Sequence, residues 1–435
     1  MWTRTWATPS LTANFTGSIL FKISNWNAGY YDNANFSGAN FAAGSDVTFD
    51  GGNAAMGSMV FGSTPTYAGK LTFKNIDVSD FDFAGATFRG TSQTIFSNAT
   101  VDNISFEDTV FEAGSTFSFY DTLFASSAST LSFKNTSFGG ITLFASGSQQ
   151  TLLANADFNG ASFNWDSSRG TMFFLQNTGF TYNQLLTTKN YNSTTGKFDL
   201  RGMDLSGNTT LINRDLRGSQ IDAAKFGGLW GNDFRDSTYT AGNTPSYGIS
   251  YIDAQGKLGG LNNHTSSTYG DFLIREKAAG STTDIHLLST STALNSGVTL
   301  TIESNNDIFA SGAGLGLDVH GTIKMDATSR FHMQDGAVMH FNTGATLEIT
   351  VGVGANFIVV GDYDAASSII LDGTYSSEMG NLIVHDGEND PTRIWKLEVF
   401  EDTNQLVLYY DIPEPAAAAA ILGTLALVLS ARRRK

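Results

Sequence analysis

The chain is predicted to fold as an all-β, elongated solenoid, and three features of its sequence carry that expectation. Phe is the dominant aromatic, with 33 residues against 14 Tyr and 6 Trp. Gly contributes 46 of 435 residues, and Ser, Thr, Asn and Asp fill much of the remainder. Large apolar residues come in pairs five apart, and the pairs recur at a nearly constant step. Turn formers at this density punctuate many short strands, Phe supplies a core, and a fixed period means stacked coils.

The repeat begins in "ANFSGANFAA" (34–43), two consecutive units centred on Phe36 and Phe41. The same spacing recurs at Phe83/Phe88, Phe106/Phe111, Phe133/Phe138 and Phe158/Phe163, then at Phe180/Leu185, Leu200/Leu205 and Ile221/Phe226. From 83 onward successive pairs start 23, 27, 25, 22, 20 and 21 residues apart, and the gap from Phe36 to Phe83 is two such steps. In each unit a large apolar residue points inward and a small Ala lets the coil close. Asn, Asp or Gly take the corners, because they tolerate positive φ or cap a turn. "ADFNGASFNW", "DLRGMDLSG" and "RDLRGSQIDAAKFGG" fit this template best. They make the region resemble the pentapeptide-repeat family, whose coils are right-handed and four-sided. The resemblance implies a right-handed β-helix with Phe ladders over 1–242, looser than the family's because full runs of four units per coil are missing. A Phe-rich β-sandwich is the competing architecture.

From 243 the texture changes. Residues 243–280 are rich in Gly, Ser and Asn and read as a connector. Within them "DFLIREKAAG" (271–280) reads as a short helix, capped by Asp271 and stopped by Gly280. Alternating runs such as "GVTLTIE" and "ATLEITVG" then predict a second β region over 281–411, solenoid or sandwich. "WKLEVFEDTNQLVLYY" predicts a closing β-hairpin turning at 401–404.

The tail differs in kind. Ala416–Ala431 is sixteen residues whose only polar side chains are Thr424 and Ser430. As a helix it would reach roughly 24 Å, short of the ~30 Å hydrocarbon thickness. Arg432, Arg433, Arg434 and Lys435 can snorkel to the headgroups and recover part of the deficit. The basic cluster is expected to stay cytoplasmic, placing the body across the membrane. Pro413-Glu414-Pro415, an apolar helix and a terminal basic cluster, in that order, resemble the PEP-CTERM sorting signal of Gram-negative bacteria. The resemblance covers about 24 residues and implies an address rather than an activity. The precursor would be held in the inner membrane until an exosortase, a membrane transpeptidase, processes it at the motif. The product would go to the cell surface or an exopolysaccharide matrix. Such proteins begin with a signal peptide, and "MWTRTWATPSLTANFTGSILFKISNW" lacks the apolar stretch of one. The reading therefore expects an export segment upstream of Met1.

The chemistry expected of the body is sparse. Charged residues are 15% of the chain and the net charge is −16, which argues against holding nucleic-acid phosphates. With no Cys there are no disulfides and no thiolate chemistry. No nucleophile elbow, P-loop or His-Glu-x-x-His occurs. His332 and His340 could approach one another on adjacent strands, though solvent-facing histidines are the simpler expectation. Asp362/Asp364 and Asp386/Glu388/Asp390 carry the hard oxygens Ca²⁺ takes, without an EF-hand spacing, and otherwise no metal or cofactor is expected. The leading function is a non-catalytic surface or matrix protein, structural or adhesive. A β-helical polysaccharide lyase or hydrolase is the alternative. A cytoplasmic mimic of duplex DNA is a third, against which the tail argues.

Overall fold

The computed structural model describes residues 13–22, 34–52, 55–62, 66–120, 122–124, 130–144, 153–264, 271–288, 293–387 and 393–411. The chain is nearly all-β, 45% strand and 3% helix, and forms a β-solenoid of about 12 turns. It divides into two compact units, the first ending at Gly256 and the second beginning at Lys257.

Over residues 14–132 the coils of the first unit contribute strands to three parallel sheets. One sheet has seven two-residue strands running from Asn14–Phe15 to Ser162–Phe163. A second runs from Ser18–Lys22 through Asp46–Asp50 and Gln93–Ser97 to Met203–Asp204. The third includes Ala34–Asn35, Asp77–Asp82 and Thr100–Ser105. Three sheets, rather than four faces, build this part, because its strands run up to six residues and leave fewer corners per coil. Between 199 and 246 pairing shrinks largely to isolated bridges, five residues apart in Asp199↔Gln220 with Asp204↔Lys225 and in Asp215↔Asp233 with Gln220↔Thr238.

Stacking equivalent residues on parallel strands about 4.8 Å apart puts their rings in contact. Phe36, Phe61, Phe83, Phe106, Phe133 and Phe158 form one column, with centroids 4.9–5.3 Å apart. Phe15, Phe41, Tyr67, Phe88, Phe111, Phe138 and Phe163 form a second. Phe21, Phe49, Phe73, Phe96 and Phe119 form a third. Edge-to-face contacts tie the columns together, as between Phe106 and Phe117 at 5.0 Å. All eight Phe expected in ladders between 83 and 163 are buried. The coil hidden in the gap from Phe36 to Phe83 is built on Phe61 and Tyr67, six apart rather than five. Burial raises the Tyr67 pKa, and its hydroxyl donates to the Phe61 carbonyl at 2.7 Å. Corners behave as expected of Asn and Asp. Asn75, Asn98, Asp108 and Asn135 sit at φ 48–57°, and their side chains bond from coil to coil, Asn98 to Asn75 and Asn135 to Asp108.

The second unit is also a parallel solenoid of three sheets, with an aliphatic core. Strands Thr299–Ile302, Thr322–Asp326 and Thr346–Thr350 stack Leu300, Ile323 and Leu347 in register. Asp307–Ser311 and Arg330–Gln334 stack Ile308 on Phe331. Two expectations are corrected here. The stretch 271–280 is not a helix: Phe272–Ile274 is a strand paired with Thr299–Ile302, burying Phe272 and Ile274 with Leu273 between them half-exposed. A ten-residue helix is marginal alone, whereas three alternating apolar residues gain a register partner on the next coil. The region read as a connector likewise contains strands Ser250–Ile252 and Lys257–Gly259, because solenoid corners use the same Gly, Ser and Asn that linkers do. The helix that does form, Tyr182–Thr187, is closed by a Thr181/Gln184 capping box in a coil read only for its Phe180/Leu185 spacing. The closing hairpin is as expected, Ile394–Phe400 against Gln405–Asp411 around Glu401–Asn404.

Candidate functional site

Pro413, Glu414 and Pro415, the apolar stretch 416–431, and Arg432, Arg433, Arg434 and Lys435 lie outside the described residues. Among the described residues no helix is long and apolar enough to cross a membrane. The structure does define how the chain arrives at the motif. Gln405–Asp411 is the middle of three antiparallel strands, held on one edge by Phe357–Tyr363 and on the other by Ile394–Phe400. Leu406, Val407 and Leu408 are fully buried, each contributing on the order of 1.5–3 kcal/mol. On one side of this piece Tyr410 packs between Trp395 and the Arg393 guanidinium, at 5.4 and 4.9 Å. The exit at Asp411 is therefore anchored one residue before Ile412.

The histidines do not come together as a pair. His332 lies on Arg330–Gln334 and His340 on Val338–Phe341, strands of different sheets, because the corner at Asp335 and Gly336 (φ 56° and 88°) turns the chain between them. Their neighbours come from adjacent coils instead. His332 Nδ1 is 3.0 Å from Asp362 and its Nε2 3.3 Å from Asp307. His340 stands between Asp318 (3.6 Å) and Asp372 (3.0 Å), the second approach off the hydrogen-bond direction. The signal for these contacts was the coil step: Asp307 and Asp362 are 25 and 30 residues from His332.

The carboxylates considered for calcium have separate duties. Asp364 accepts from the Ser367 hydroxyl and from the N–H groups of Asp335, Ala366 and Ser367, which hold it below the usual carboxylate range. Asp386 is buried 3.8 Å from Arg393, and Glu388 and Asp390 lie outside the described residues. Among the described residues no three His, Asp or Glu gather to hold a metal ion.

Two concavities are lined by described residues. In the first unit a 260 Å³ recess is lined by Asn177, Gly179, Phe180, Asn208, Thr209 and Thr210, neutral and hydrogen-bonding. In the second a 400 Å³ groove is lined by Glu276, Glu303, Ser304, Lys324, Asp326 and Thr350. Its charged groups are tied up locally. Lys324 bonds Glu348 at 2.7 Å, and Asp326 accepts from the hydroxyls of Ser304 and Thr328.

Sequence reasoning missed one polar feature. Asp-x-Arg occurs at Asp199/Arg201, Asp215/Arg217 and Asp233/Arg235, and each Arg forks onto the Asp two residues earlier. Asp233 and Arg235 are fully buried, their oxygen and nitrogen 2.7 Å apart. Repetition of the tripeptide in "FDLRG", "RDLRG" and "NDFRD" was the available signal.

The fold places the chain among parallel β-solenoids. No protein-family model matches the sequence, and no curated protein matches it.

Proposed function

We propose that this chain is an exported, non-catalytic surface or exopolysaccharide-matrix protein, made as a single-pass membrane precursor with its C-terminus cytoplasmic. The body is taken as a right-handed coil, the hand that parallel strand crossovers strongly favour. The observation that carries the reading is the order of features at the C-terminus: Pro413-Glu414-Pro415, an uncharged stretch and four cations, starting two residues after the last strand ends. A structured body finishing on a buried, doubly paired strand would present the motif beside the membrane without unfolding. The implied partners are an exosortase-type transpeptidase, the inner membrane during transit, and the polysaccharide matrix afterwards. Glu414→Ala should leave membrane insertion intact yet trap the precursor. The test is a C-terminal peptide map of surface-extracted protein from a host that has the transpeptidase. Recovery of intact "LSARRRK" from that fraction would show that the tail stays, and processing would be excluded.

The groove lined by Glu276, Glu303, Lys324 and Asp326 is the one observation favouring the alternative, a polysaccharide lyase or hydrolase. Incubating the protein with acidic and neutral polysaccharides, reading reducing ends and unsaturated products, separates the two. Turnover that is lost in Asp326→Asn would establish the enzyme.

A further inference from the structure

Among the described residues, seven of the nine large hydrophobic side chains left exposed lie between 338 and 400, in the last coils of the second unit. Two of them, Phe357 (56% exposed) and Phe400 (38%), touch each other at 6.4 Å. Phe400 also touches Tyr409 at 5.8 Å. Register puts the three on one face of the antiparallel piece, since Phe357 opposes Tyr409 and Phe400 opposes Gln405 on the same middle strand. Phe400 thus reaches across the position of Val407, which is buried on that face. Folding has no use for leaving a cluster of three aromatic rings half in water, and the opposite face of these strands already supplies Trp395, Leu397, Leu406 and Leu408 to the core.

Position relative to the tail identifies the occupant. Tyr409, and with it Phe357, lies two residues, about 7 Å, before Asp411. Only residues 412–415 separate Asp411 from Ala416, so even fully extended they span at most about 18 Å. A tail inserted from Ala416 holds this face within about 25 Å of the bilayer surface, the two lengths taken together. Aromatic rings with an apolar body, one of them with a polar hydroxyl, suit the headgroup zone. We propose that Phe357, Phe400 and Tyr409 form a seat on the lipid surface that fixes the body against the membrane while the precursor is anchored. This rests on the inserted tail proposed above.

The absence of cysteine permits a direct test in the full chain. Phe357→Cys and Phe400→Cys are labelled with an NBD fluorophore, with Lys257→Cys, exposed on a strand of the second unit five places from Gln405–Asp411 in the same sheet, as reference. The proteins are reconstituted in phosphatidylcholine vesicles, uncharged so that the acidic body is not repelled. Resistance to carbonate extraction reports insertion separately. With the tail inserted, labels at 357 and 400 should lose most of their emission to headgroup-labelled nitroxide lipid and the label at 257 should not. Circular dichroism checks that each variant is folded, and agreement between the two positions keeps the result from resting on one substitution. Insertion without quenching at either position would overturn the seat and leave the anchor standing. Complete extraction by carbonate would overturn the anchor and the seat with it.

Discussion

Phe106→Ala tests whether the aromatic columns hold the first unit together. Phe106 is fully buried, lying face to face between Phe83 and Phe133 at 5.0 and 5.3 Å, with planes within 7° of parallel. It also meets Phe117 edge-on at 5.0 Å and Phe111 at a tilt at 5.9 Å. A buried Phe→Ala change costs about 3–5 kcal/mol, depending on how far the site collapses. Collapse is resisted here because the neighbouring rings are fixed by parallel strands above and below, so the loss should fall in the upper half of that range. Each stacked pair contributes about 0.5–1.5 kcal/mol beyond burial, so Phe106→Leu should recover area but not the stacking. In a solenoid each coil contacts only its neighbours, so the damage should be local. Hydrogen exchange is the right assay, since one unfolding free energy is poorly defined for a long array. Protection should drop at 77–82, 100–105 and 130–132, while 299–302 and 346–350 stay unchanged. A uniform loss across both units, or a loss below about 1 kcal/mol, would refute the column argument.

Three further outcomes follow from buried detail. Arg235→Met leaves the fully buried Asp233 without its forked partner and should cost about 3–5 kcal/mol in the local opening read by hydrogen exchange at 230–233 and 250–252, partly restored by adding Asp233→Leu. Gly316→Ala puts a Cβ 1.8 Å from the Val338 carbonyl oxygen, so it should lower the melting temperature although the added group is only a methyl. Acid should weaken the second unit. Burial alone raises Asp326, but bonds from Ser304 and Thr328 and the N–H groups of Thr328 and Ser329 bring it below its usual value, and the Lys324 and His385 bonds lower Glu348. With folded values depressed, their stabilisation is full above the unfolded pKa of about 4 and is lost as pH falls through the folded values. Melting followed from neutral pH to about pH 3 should show the decline, and Ser304→Ala should make it shallower.

The columns were legible because Phe at a fixed step has one economical explanation, a shared core position on successive coils. Phe61 and Tyr67 escaped because one extra corner residue broke the five-residue spacing while the stack itself was kept. The strand at Phe272–Ile274 escaped for another reason: three residues are too few to show a period, and only the partner 28 residues on decides their state. The carboxylate neighbours of His332 and the burial of the Asp233–Arg235 pair likewise depend on adjacent coils, for which the only signals were the coil step and the repeated tripeptide. The proposed sorting motif was read from order and composition alone, and its residues lie beyond the last described strand.

The change from parallel to antiparallel pairing at the end of the second unit has a physical reason. A parallel solenoid that simply stopped would leave the N–H and C=O groups of Phe357–Tyr363 open to another strand. The returning strand Gln405–Asp411 covers that edge, and Ile394–Phe400 covers the next, itself paired only briefly with Tyr375–Ser376. Lys396 and Glu398 on this last strand oppose further pairing by charge. Reversal also fixes where the chain leaves. A continuing coil would release it at a corner set by loop length, whereas the middle strand of a buried three-stranded piece delivers Asp411 at one place and in one direction. Sealing the sheet and aiming the tail are thus met by the same eighteen residues, 394–411. Substituting Leu406 or Leu408 should disturb both together, and Phe400, on the outer face, neither.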